Sequence, residues 1–487
     1  MSKKSAERLG LCVVLVALIG FAGSLLLRNS LPGSIVHAAG GLTPQPVNMP
    51  GFPVASATIQ GWINNNDQDS MRAHGWALWA GMSSITPQSN GWPVWETWYT
   101  DSEVAAGPPT AARALQFSKI RATGKPVHPF HAPRQFHHQL ERNRFAPALS
   151  MIDTDSQVVG FNKFNLDYSQ FVWNNGYNNG QTIWNIQATW PTSTPVAGRI
   201  LKPFPPPAIG LKPTFEVVRG PNNQGGITVL NYWLGDLSTG PKNSTDPANP
   251  TPGTWKQCVV VNTGSGPVPS GLTCTINKKL STVKPTGVVL VSQFFNFPLS
   301  AAEATAICNA QPIQSCNVQA GDYAILVAMH VTTKEDDNWT WQTFWWNHNQ
   351  PFPYGPPPAN VQAPFNNYAM CTGDSMTTNP PNNAQGTNVL CYNPYLETGL
   401  PGVNGVESNC MTCHLTASYG NNNNNPNGYP PFTTGTTSYI SVNNPQDDLI
   451  YFDCQTTTDF SWFLALGIAG SVTPPKQPAC TTNQAAR

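Results

Sequence analysis

Hydrophobic and polar residues alternate along this chain in short runs that turn residues separate. The 47 prolines and 40 glycines leave little room for long helices. Alternating or continuous apolar runs predict strands at 214–219, 227–234, 258–261, 288–295, 323–331, 339–346 and 439–442. The polar stretch 334–337 predicts an ordinary hairpin turn between two of these strands. We therefore expect a mainly β fold with a β-sandwich-like body.

Three segments carry apolar residues at the three- and four-residue spacing of a helix: 68–82, 110–120 and 300–310. The last begins with Ser300 and has Glu303 three residues later, which is the capping-box pattern of a helix start. We expect these short helices at the periphery of the β-sandwich-like body.

The N-terminus has the three parts of an export signal. Lys3, Lys4 and Arg8 precede an apolar run at 9–27, and small residues follow at 36–39. We therefore expect 1–39 to be a signal peptide and the rest of the chain to be periplasmic or secreted. A run of this length can also span a bilayer, so an uncleaved anchor is the alternative. Membrane association is expected through this segment only.

The charge composition excludes one class of partner. The chain has 25 basic and 25 acidic residues, a net charge of zero, and only 10% charged residues in all, against about 25% in ordinary soluble proteins. Nucleic-acid binding needs a basic patch that neutralises phosphates. No such run of basic residues is present in the sequence, so we expect no nucleic-acid partner.

Residues 410–414, Cys-Met-Thr-Cys-His, form the C-x-x-C-H pattern. At this spacing two thiols bind one edge of a haem, and the next histidine binds the iron. Cys410, Cys413 and His414 are therefore the candidate residues for one covalent haem c, with His414 as the proximal ligand of the iron. A disulfide loop or half of a metal site is the alternative. The export signal favours haem, because haem is attached to such motifs outside the cytoplasm.

The remaining cysteines predict disulfides. The chain has 11 cysteines; one lies in the leader and two lie in the motif, which leaves eight. An even number in an exported chain favours four disulfides among Cys258, Cys274, Cys308, Cys316, Cys371, Cys391, Cys454 and Cys480. Pairing of neighbours, 258–274, 308–316, 371–391 and 454–480, is the simplest connectivity, although many others exist.

Six segments together resemble a known group of proteins: WPVWETW at 92–98, 162–176 ending in WNNG, MHVTTK at 329–334, WTWQTF at 339–344, SNCMTCH at 408–414 and DFSWFL at 459–464. In this order they resemble exported bacterial single-haem proteins described only as "cytochrome c family protein". The resemblance covers most of the chain after the leader and implies a secreted c-type cytochrome, without implying a substrate. We expect a β-rich body at 40–365 and an irregular, disulfide-bearing haem segment at 366–487.

The second axial ligand of the iron would distinguish an electron carrier from a catalyst. His330, at the end of an apolar strand, is our first candidate for this distal position. A structural histidine is the alternative interpretation. His348 and Met370 are weaker candidates. No methionine follows His414, so the usual Met/His arrangement of small cytochromes c is not expected, and an open distal site is a second alternative.

Two further clusters are open to more than one interpretation. The histidines His128, His131, His137 and His138 lie in proline-flanked sequence that is typical of an exposed loop, with a zinc or copper site as the alternative. Trp339 and Trp341 point to one face of a predicted strand. They fill the core, form an aromatic wall beside the haem, or provide a platform on which a sugar stacks.

Three functions remain open from the sequence alone. The first is electron transfer to a redox partner protein that the sequence does not identify. The second is a haem-dependent oxidoreductase that uses peroxide or oxygen at an open distal site. The third is a secreted binding or structural protein in which the C-x-x-C motif is inert.

Overall fold

The computed structural model describes most of the chain between residues 41 and 467. The described residues are 41–131, 158–191, 193–233, 257–276, 281–310, 316–348, 352, 354–374, 391–397, 410–419, 452 and 455–467. The predicted leader 1–39, the predicted strand 439–442, His137, His138, Cys454 and Cys480 lie outside them. In this described part, no helix combines the length and apolar character that crossing a membrane requires.

Helices are more prominent than the sequence indicated. In the described ranges the α-helices are α1 Ser56–Asn64, α2 Gln68–Ser83, α3 Asp101–Ala106, α4 Leu115–Arg121, α5 Leu166–Asn174, α6 Gly180–Ala188, α7 Ala301–Ala310, α8 Pro394–Glu397 and α9 Cys410–His414. Short 3-10 turns are Pro87–Ser89, Val94–Thr97, Ala112–Ala114, Val196–Gly198, Gln224–Gly226, Val291–Gln293 and Phe365–Asn367, and Phe463–Gly467 is a π-helical turn.

The three predicted helices are confirmed. The segment 68–82 forms α2, whose first turn is capped by Asp67, because its side chain accepts the Ser70 N–H at 3.0 Å. The segment 300–310 forms α7, and its capping box is made as expected: Ser300 N–H donates to Glu303 Oε2 at 2.8 Å, and Glu303 N–H donates to Ser300 Oγ at 3.3 Å. The segment 110–120 forms a 3-10 turn followed by α4.

Strands form at six of the predicted runs, 214–219, 227–234, 258–261, 288–295, 323–331 and 339–346, and nine further strands in the described ranges were not predicted. Together the strands are β1 Tyr99–Thr100, β2 Val159–Gly160, β3 Lys163–Phe164, β4 Ile209–Val218, β5 Ile227–Asn231, β6 Cys258–Asn262, β7 Cys274–Ile276, β8 Ser281–Val283, β9 Val288–Leu290, β10 Asn296–Pro298, β11 Tyr323–Thr333, β12 Thr340–Trp346, β13 Tyr368–Thr372, β14 Ser418–Tyr419 and β15 Thr456–Thr457. The run 288–295 contains β9 and then turns at Val291–Gln293, so β10 begins only after it.

Eight of these strands form one large sheet. Their order is β1-β3-β4-β11-β12-β13, with β2 paired to β4 and β10 paired to β11. All pairs in this sheet are antiparallel. The turn 334–337 joins β11 to β12 as predicted. The mainly β fold expected from the sequence is thus confirmed only in part, because the antiparallel sheet belongs to a fold that mixes helices and strands. The last strand of this sheet, β13, lies within the stretch 366–487.

The two faces of the large sheet carry different layers. Side chains alternate between faces along a strand, so Met329 faces the opposite side from His330. The Met329 face packs on α2, where the Trp79 ring stacks on Phe344 with centroids 4.1 Å apart. On the other face, Asn393 Nδ2 donates to Thr343 Oγ1 at 2.7 Å. That face therefore receives segments from the C-terminal part of the chain.

A second, three-stranded sheet has the order β5-β6-β9. Its buried apolar side chains belong to the same core as those of the large sheet: Leu230 of β5, Val259 and Val261 of β6, and Val289 of β9. We call this shared cluster the first core. It combines residues of both sheets with the apolar face of α2.

Two predicted disulfides are confirmed. Cys308 pairs with Cys316, and Cys371 pairs with Cys391. Cys258 is also disulfide-bonded. The side chain of Cys274 lies outside the described part, as do Cys454 and Cys480, so the remaining pairings stay predictions.

Candidate haem-attachment site

The motif 410–414 forms α9, a single helical turn. The residues after it are tied back to the helix, since Leu415 N–H donates to Met411 O at 2.9 Å and Ala417 N–H donates to His414 O at 3.0 Å. The chain then enters β14, which pairs with β15. This strand pairing therefore holds α9 next to segment 455–467, although the two are separated along the chain.

Met411 is fully buried in a second cluster of apolar side chains, which we call the second core. The second core consists of Tyr99, Val104, Phe164, Tyr168, Phe171, Val172, Tyr177, Ile183, Trp184, Leu201, Phe204, Ala208, Trp339, Trp341, Met411, Tyr419, Phe463 and Leu464. Cys410 packs against it from a partly buried position and carries a thiol. The side chain of Cys413 lies outside the described part.

His414 is oriented by one backbone carbonyl. Its Nδ1–H donates to Phe460 O at 2.8 Å, and a carbonyl oxygen can only accept, so the proton must be on Nδ1. Burial, together with the charges of His330 and Lys212, lowers the pKa of His414 to about 3 despite that hydrogen bond. The imidazole is therefore neutral, and Nε2 carries a lone pair. This is the form in which histidine binds a metal, with the other nitrogen hydrogen-bonded.

The carbonyl that orients His414 lies in a sterically strained segment. Asp459 has φ 48° and Phe460 has φ 64°, the left-handed region that non-glycine residues rarely adopt. Such conformations persist where the surroundings fix them. Here Asp459 Oδ1 accepts from Lys334 Nζ at 2.8 Å, and Asp459 Oδ2 accepts from Phe204 N–H at 2.8 Å. The buried carboxylate thus fixes the backbone beside His414.

The same ion pair shows that 334–337 is more than a surface hairpin turn. Lys334, Glu335 and Asp336 are all buried. Glu335 Oε1 accepts from Val54 N–H at 2.6 Å, and Asp336 Oδ1 accepts from Gln60 Nε2 at 2.7 Å. Through Glu335 and Asp336, the turn therefore connects the large sheet to Val54, just before α1, and to Gln60 of α1. Through Lys334 it also contacts the segment beside His414.

His330 is brought next to the motif. Its Nδ1 lies 3.9 Å from Cys410 Sγ, and its charge acts on His414. On the sheet it stands opposite Thr343 of β12 and Lys212 of β4. The structure thus places our distal candidate beside Cys410. Its role as an iron ligand stays a prediction.

Trp341 packs on His414. The centroids of its ring and the His414 ring are 4.5 Å apart, and the ring planes are tilted by 48°. The indole is held by Nε1–H, which donates to Asn338 O at 2.8 Å, and its backbone N–H donates to Asp374 Oδ1 at 2.6 Å. Burial raises the pKa of Asp374 to about 7, even though the Trp341 N–H opposes that change. Trp341 thus contacts the site and belongs to the second core.

Two weaker distal candidates lie elsewhere. Met370 stands opposite Phe344, on the sheet face that packs on α2, and its Sδ lies close to Gly75 of that helix. His348 stacks on Trp346, with ring centroids 5.4 Å apart. Neither is brought to His414 by these contacts.

The interpretation of the histidine tract as an exposed loop is wrong for His128. Its ring is buried, with Nδ1 2.8 Å from Glu303 Oε1 and Nε2 3.2 Å from Glu96 Oε2. His131 Nε2 lies 3.1 Å from Asp101 Oδ2. Within the described residues, no group of three or more His, Cys, Asp or Glu side chains is arranged to hold a metal ion. The carboxylates of Glu96 and Glu303 explain why His128 is buried, and the spacing of the histidines in the sequence does not indicate these partners.

No protein-family model, curated protein or solved structure matches this chain. The interpretation of the site therefore depends on its own residues. Sequence reasoning found Cys410, His414, His330 and Trp341. It missed Lys212 and the Phe460 carbonyl, because cross-strand register and backbone acceptors leave no pattern in the sequence.

Proposed function

We propose that the chain is an exported c-type cytochrome that carries one covalent haem c on Cys410, Cys413 and His414 and transfers electrons. The observation that supports this most is the hydrogen bond from His414 Nδ1 to Phe460 O, at 2.8 Å. This hydrogen bond leaves Nε2 unprotonated and fixes the ring in one orientation. Cys410, four residues before His414, carries a thiol. When bound, haem supplies an iron that cycles between the ferric and ferrous states.

The residues of the chain would orient the ligand and exclude water. The Phe460 carbonyl fixes the ring and increases the basicity of Nε2. Trp341 covers one side of the ring, and the second core surrounds Met411 with apolar side chains. A dry, low-dielectric shell of this kind reduces the solvent reorganisation that accompanies a change in charge, which suits electron transfer.

The proposal also includes the β-sandwich-like body, the haem-bearing segment and the export that we expect from the sequence. The three-stranded sheet and the large sheet, which share the first core, would form the β-sandwich-like body. The stretch 366–487 would be the haem-bearing segment, covering the sheet face that contains His330. Export to the periplasm or the exterior, and membrane association through 1–39 only, are proposed from the leader. The redox partner would be a protein rather than a nucleic acid.

Covalent haem tests the proposal directly. The protein is produced in a bacterial host with a cytochrome c maturation system, and haem is measured by the pyridine haemochrome assay and by intact mass. We expect one haem per chain, none in Cys410→Ala/Cys413→Ala, and one in the matched control Cys308→Ala/Cys316→Ala. The control removes a disulfide outside the motif. Colourless wild-type protein of unmodified mass would exclude both haem-based functions and favour a binding or structural role.

A haem-dependent oxidoreductase is the second candidate function. It is favoured by the position of Met329 and Met370, which lie on the sheet face away from the motif. His330, which lies beside the Cys410 sulfur, would instead supply a distal ligand and favour electron transfer. A visible spectrum of the reduced protein with carbon monoxide separates the candidates. Rapid binding and a high-spin iron indicate an open distal site, whereas a low-spin iron that changes in His330→Ala indicates His330 ligation and electron transfer.

A further inference from the structure

A cavity of about 390 Å³ lies between residues 41–43, strand β1 and helices α3, α4 and α5. Its lining includes buried side chains and also the exposed residues Gly41, Thr43, Pro109 and Ala122, so the cavity is open to solvent. Pockets that bind organic ligands usually enclose about 300–1,000 Å³, and a cavity of about 150 Å³ already holds one benzene ring. The cavity therefore has room for two fused aromatic rings.

The walls of this cavity are mainly apolar and aromatic. The rings of Tyr99 and Trp173 meet edge to face, with centroids 5.1 Å apart, and Leu42 and Phe117 extend the apolar surface. The Trp173 ring is fixed because its Nε1–H donates to Val104 O at 2.9 Å. Aromatic side chains bind flat ring systems through offset-stacked or edge-to-face contacts. The walls therefore favour a flat aromatic ligand.

The charged residues of the lining are already paired with each other. Arg121 makes two hydrogen bonds to the Glu103 carboxylate. It also donates to the carbonyl oxygens of Leu42, Thr97 and Trp98. A guanidinium has five N–H donors, and these contacts use all of them. An anionic ligand would find no donor on Arg121 and would lose its hydration without compensation, so a neutral ligand is favoured.

The Tyr99 hydroxyl is the polar group that the lining offers to a ligand. The side chain is only 9% exposed, and its hydroxyl makes no hydrogen bond to any of the described residues. Its ring is fixed between Trp173 and Arg121, whose Cζ lies 4.6 Å from the ring centroid. Burial raises the pKa of Tyr99 against the charge of Arg121, so the phenol keeps its proton and can donate it to an acceptor.

We propose that this cavity binds a small, neutral aromatic molecule whose carbonyl oxygen accepts a hydrogen bond from the Tyr99 hydroxyl. The ring system would pack against Tyr99 and Trp173, and the carbonyl would supply the acceptor that the buried hydroxyl lacks among the described residues. Leaving such a group unpaired costs free energy, which the ligand recovers. The inference goes beyond the proposed function and does not depend on the haem, because β1, α4 and α5 supply the residues that carry it.

Equilibrium dialysis of the full protein tests the inference, with the free ligand measured by absorbance in the protein-free chamber. The probes are methyl naphthyl ketone and isopropylnaphthalene, which has nearly the same shape but no carbonyl. We expect Tyr99→Phe to weaken binding of the ketone about fivefold, the effect of one neutral hydrogen bond, and to leave binding of isopropylnaphthalene unchanged. Tyr323→Phe, which removes a hydroxyl on β11, is the matched control and should bind both probes like the wild type.

Three outcomes would overturn the inference: no saturable binding of the ketone to the wild type, unchanged ketone affinity in Tyr99→Phe, or an equal loss for both probes in that variant. A third probe, the anion naphthoate, should bind more weakly than the ketone, and tighter binding would contradict a site for neutral ligands. Circular dichroism checks that each variant is folded. If Tyr99→Phe is not folded, Ala114→Leu, which places a larger side chain in the cavity lining, must weaken both neutral probes, and unchanged affinities would refute the site.

Discussion

Replacing Glu303 with glutamine should destabilise the protein in a way that depends on pH. Glu303 Oε1 lies 2.8 Å from His128 Nδ1, and Glu96 Oε2 lies 3.2 Å from the other ring nitrogen. With a carboxylate at each nitrogen, both nitrogens act as donors, so the ring is an imidazolium. It is stacked on Phe297, with centroids 4.2 Å apart. Glu303→Gln removes one of the two charges that hold this buried cation.

The size of the effect follows from the pKa of Glu303. Burial alone would raise it, but the hydrogen bond and charge of His128, with the bonds from Ser300, lower it from 4.5 to about 2. At about 1.4 kcal/mol per pKa unit, this difference corresponds to about 3 kcal/mol of stability as an upper value. Because the side chain is 21% exposed, solvent screening reduces the effect, and we expect a loss of about 1.5–3 kcal/mol.

The sign of the pH dependence is also fixed. The pKa of Glu303 is lower in the folded state, so its contribution is fully present above pH 4.5 and is lost as the pH falls towards 2. The pKa of His128 is raised by its carboxylate partners, which outweigh burial. Its contribution is present below pH 6.5 and is lost as the pH rises through its folded-state pKa. The two contributions are therefore present together between pH 4.5 and 6.5.

Urea unfolding followed by tryptophan fluorescence measures both the loss and its pH dependence. We expect the difference between wild type and Glu303→Gln to be largest at pH 6 and to disappear as the pH approaches 2. Asp69→Asn is the control, because that carboxylate is 99% exposed and should change stability little at any pH. Equal stability of Glu303→Gln and wild type at pH 6, or a constant difference down to pH 2, would refute the reasoning.

Three further changes test other contacts by urea unfolding at pH 7. Lys334→Met leaves the buried Asp459 carboxylate without its cation and should lower the free energy of unfolding by about 3–5 kcal/mol. Cys371→Ala/Cys391→Ala opens a disulfide with a sequence separation of 20 and should lower it by about 3 kcal/mol. Gly220→Ala places a Cβ against the backbone carbonyl oxygen of Gly321, and this overpacking should lower the free energy of unfolding by about 1–3 kcal/mol.

Each of these changes has a control of similar size. Gly266→Ala meets no atom within 4 Å and should leave stability nearly unchanged. Lys119→Met removes an exposed cation and serves the same purpose for Lys334→Met. For the disulfide, addition of a reductant should bring the wild type to the stability of the double variant. A Gly220→Ala protein as stable as Gly266→Ala, or a Lys334→Met protein as stable as Lys119→Met, would contradict the corresponding contact.

The sequence predicted three of the eight strands of the large sheet, β4, β11 and β12, because these three have strong local patterns. The central strands β11 and β12 consist of apolar and β-branched residues between clear turns, so burial and propensity favour the same structure. Helices α1, α5 and α6 were not predicted. Helix α5, Leu166–Asn174, mixes aromatic residues with Asn and Gln, and its helical state depends on packing in the second core rather than on local preference.

The candidate site was only partly predictable for a related reason. The C-x-x-C-H spacing is local, so Cys410 and His414 could be identified in the sequence. The acceptor of the His414 proton is a backbone carbonyl, which any residue could supply. Lys212 reaches the site through strand pairing, and pairing between distant strands leaves no signature in a single sequence. Tertiary contacts of this kind become visible only in the folded structure.

The ion pair between Lys334 and Asp459 also has a consequence for the order of folding. It closes a loop of 125 residues, and the contact from His414 to Phe460 closes one of 46. The entropy lost on closing such loops is not recovered until the sheet has formed. The orientation of the His414 ring is therefore fixed late in folding, and a partly folded chain would have a motif without a fixed imidazole. The amide hydrogens of Thr457 and Thr458, which donate to Arg199 O and Ala417 O, should accordingly exchange with solvent only by global unfolding.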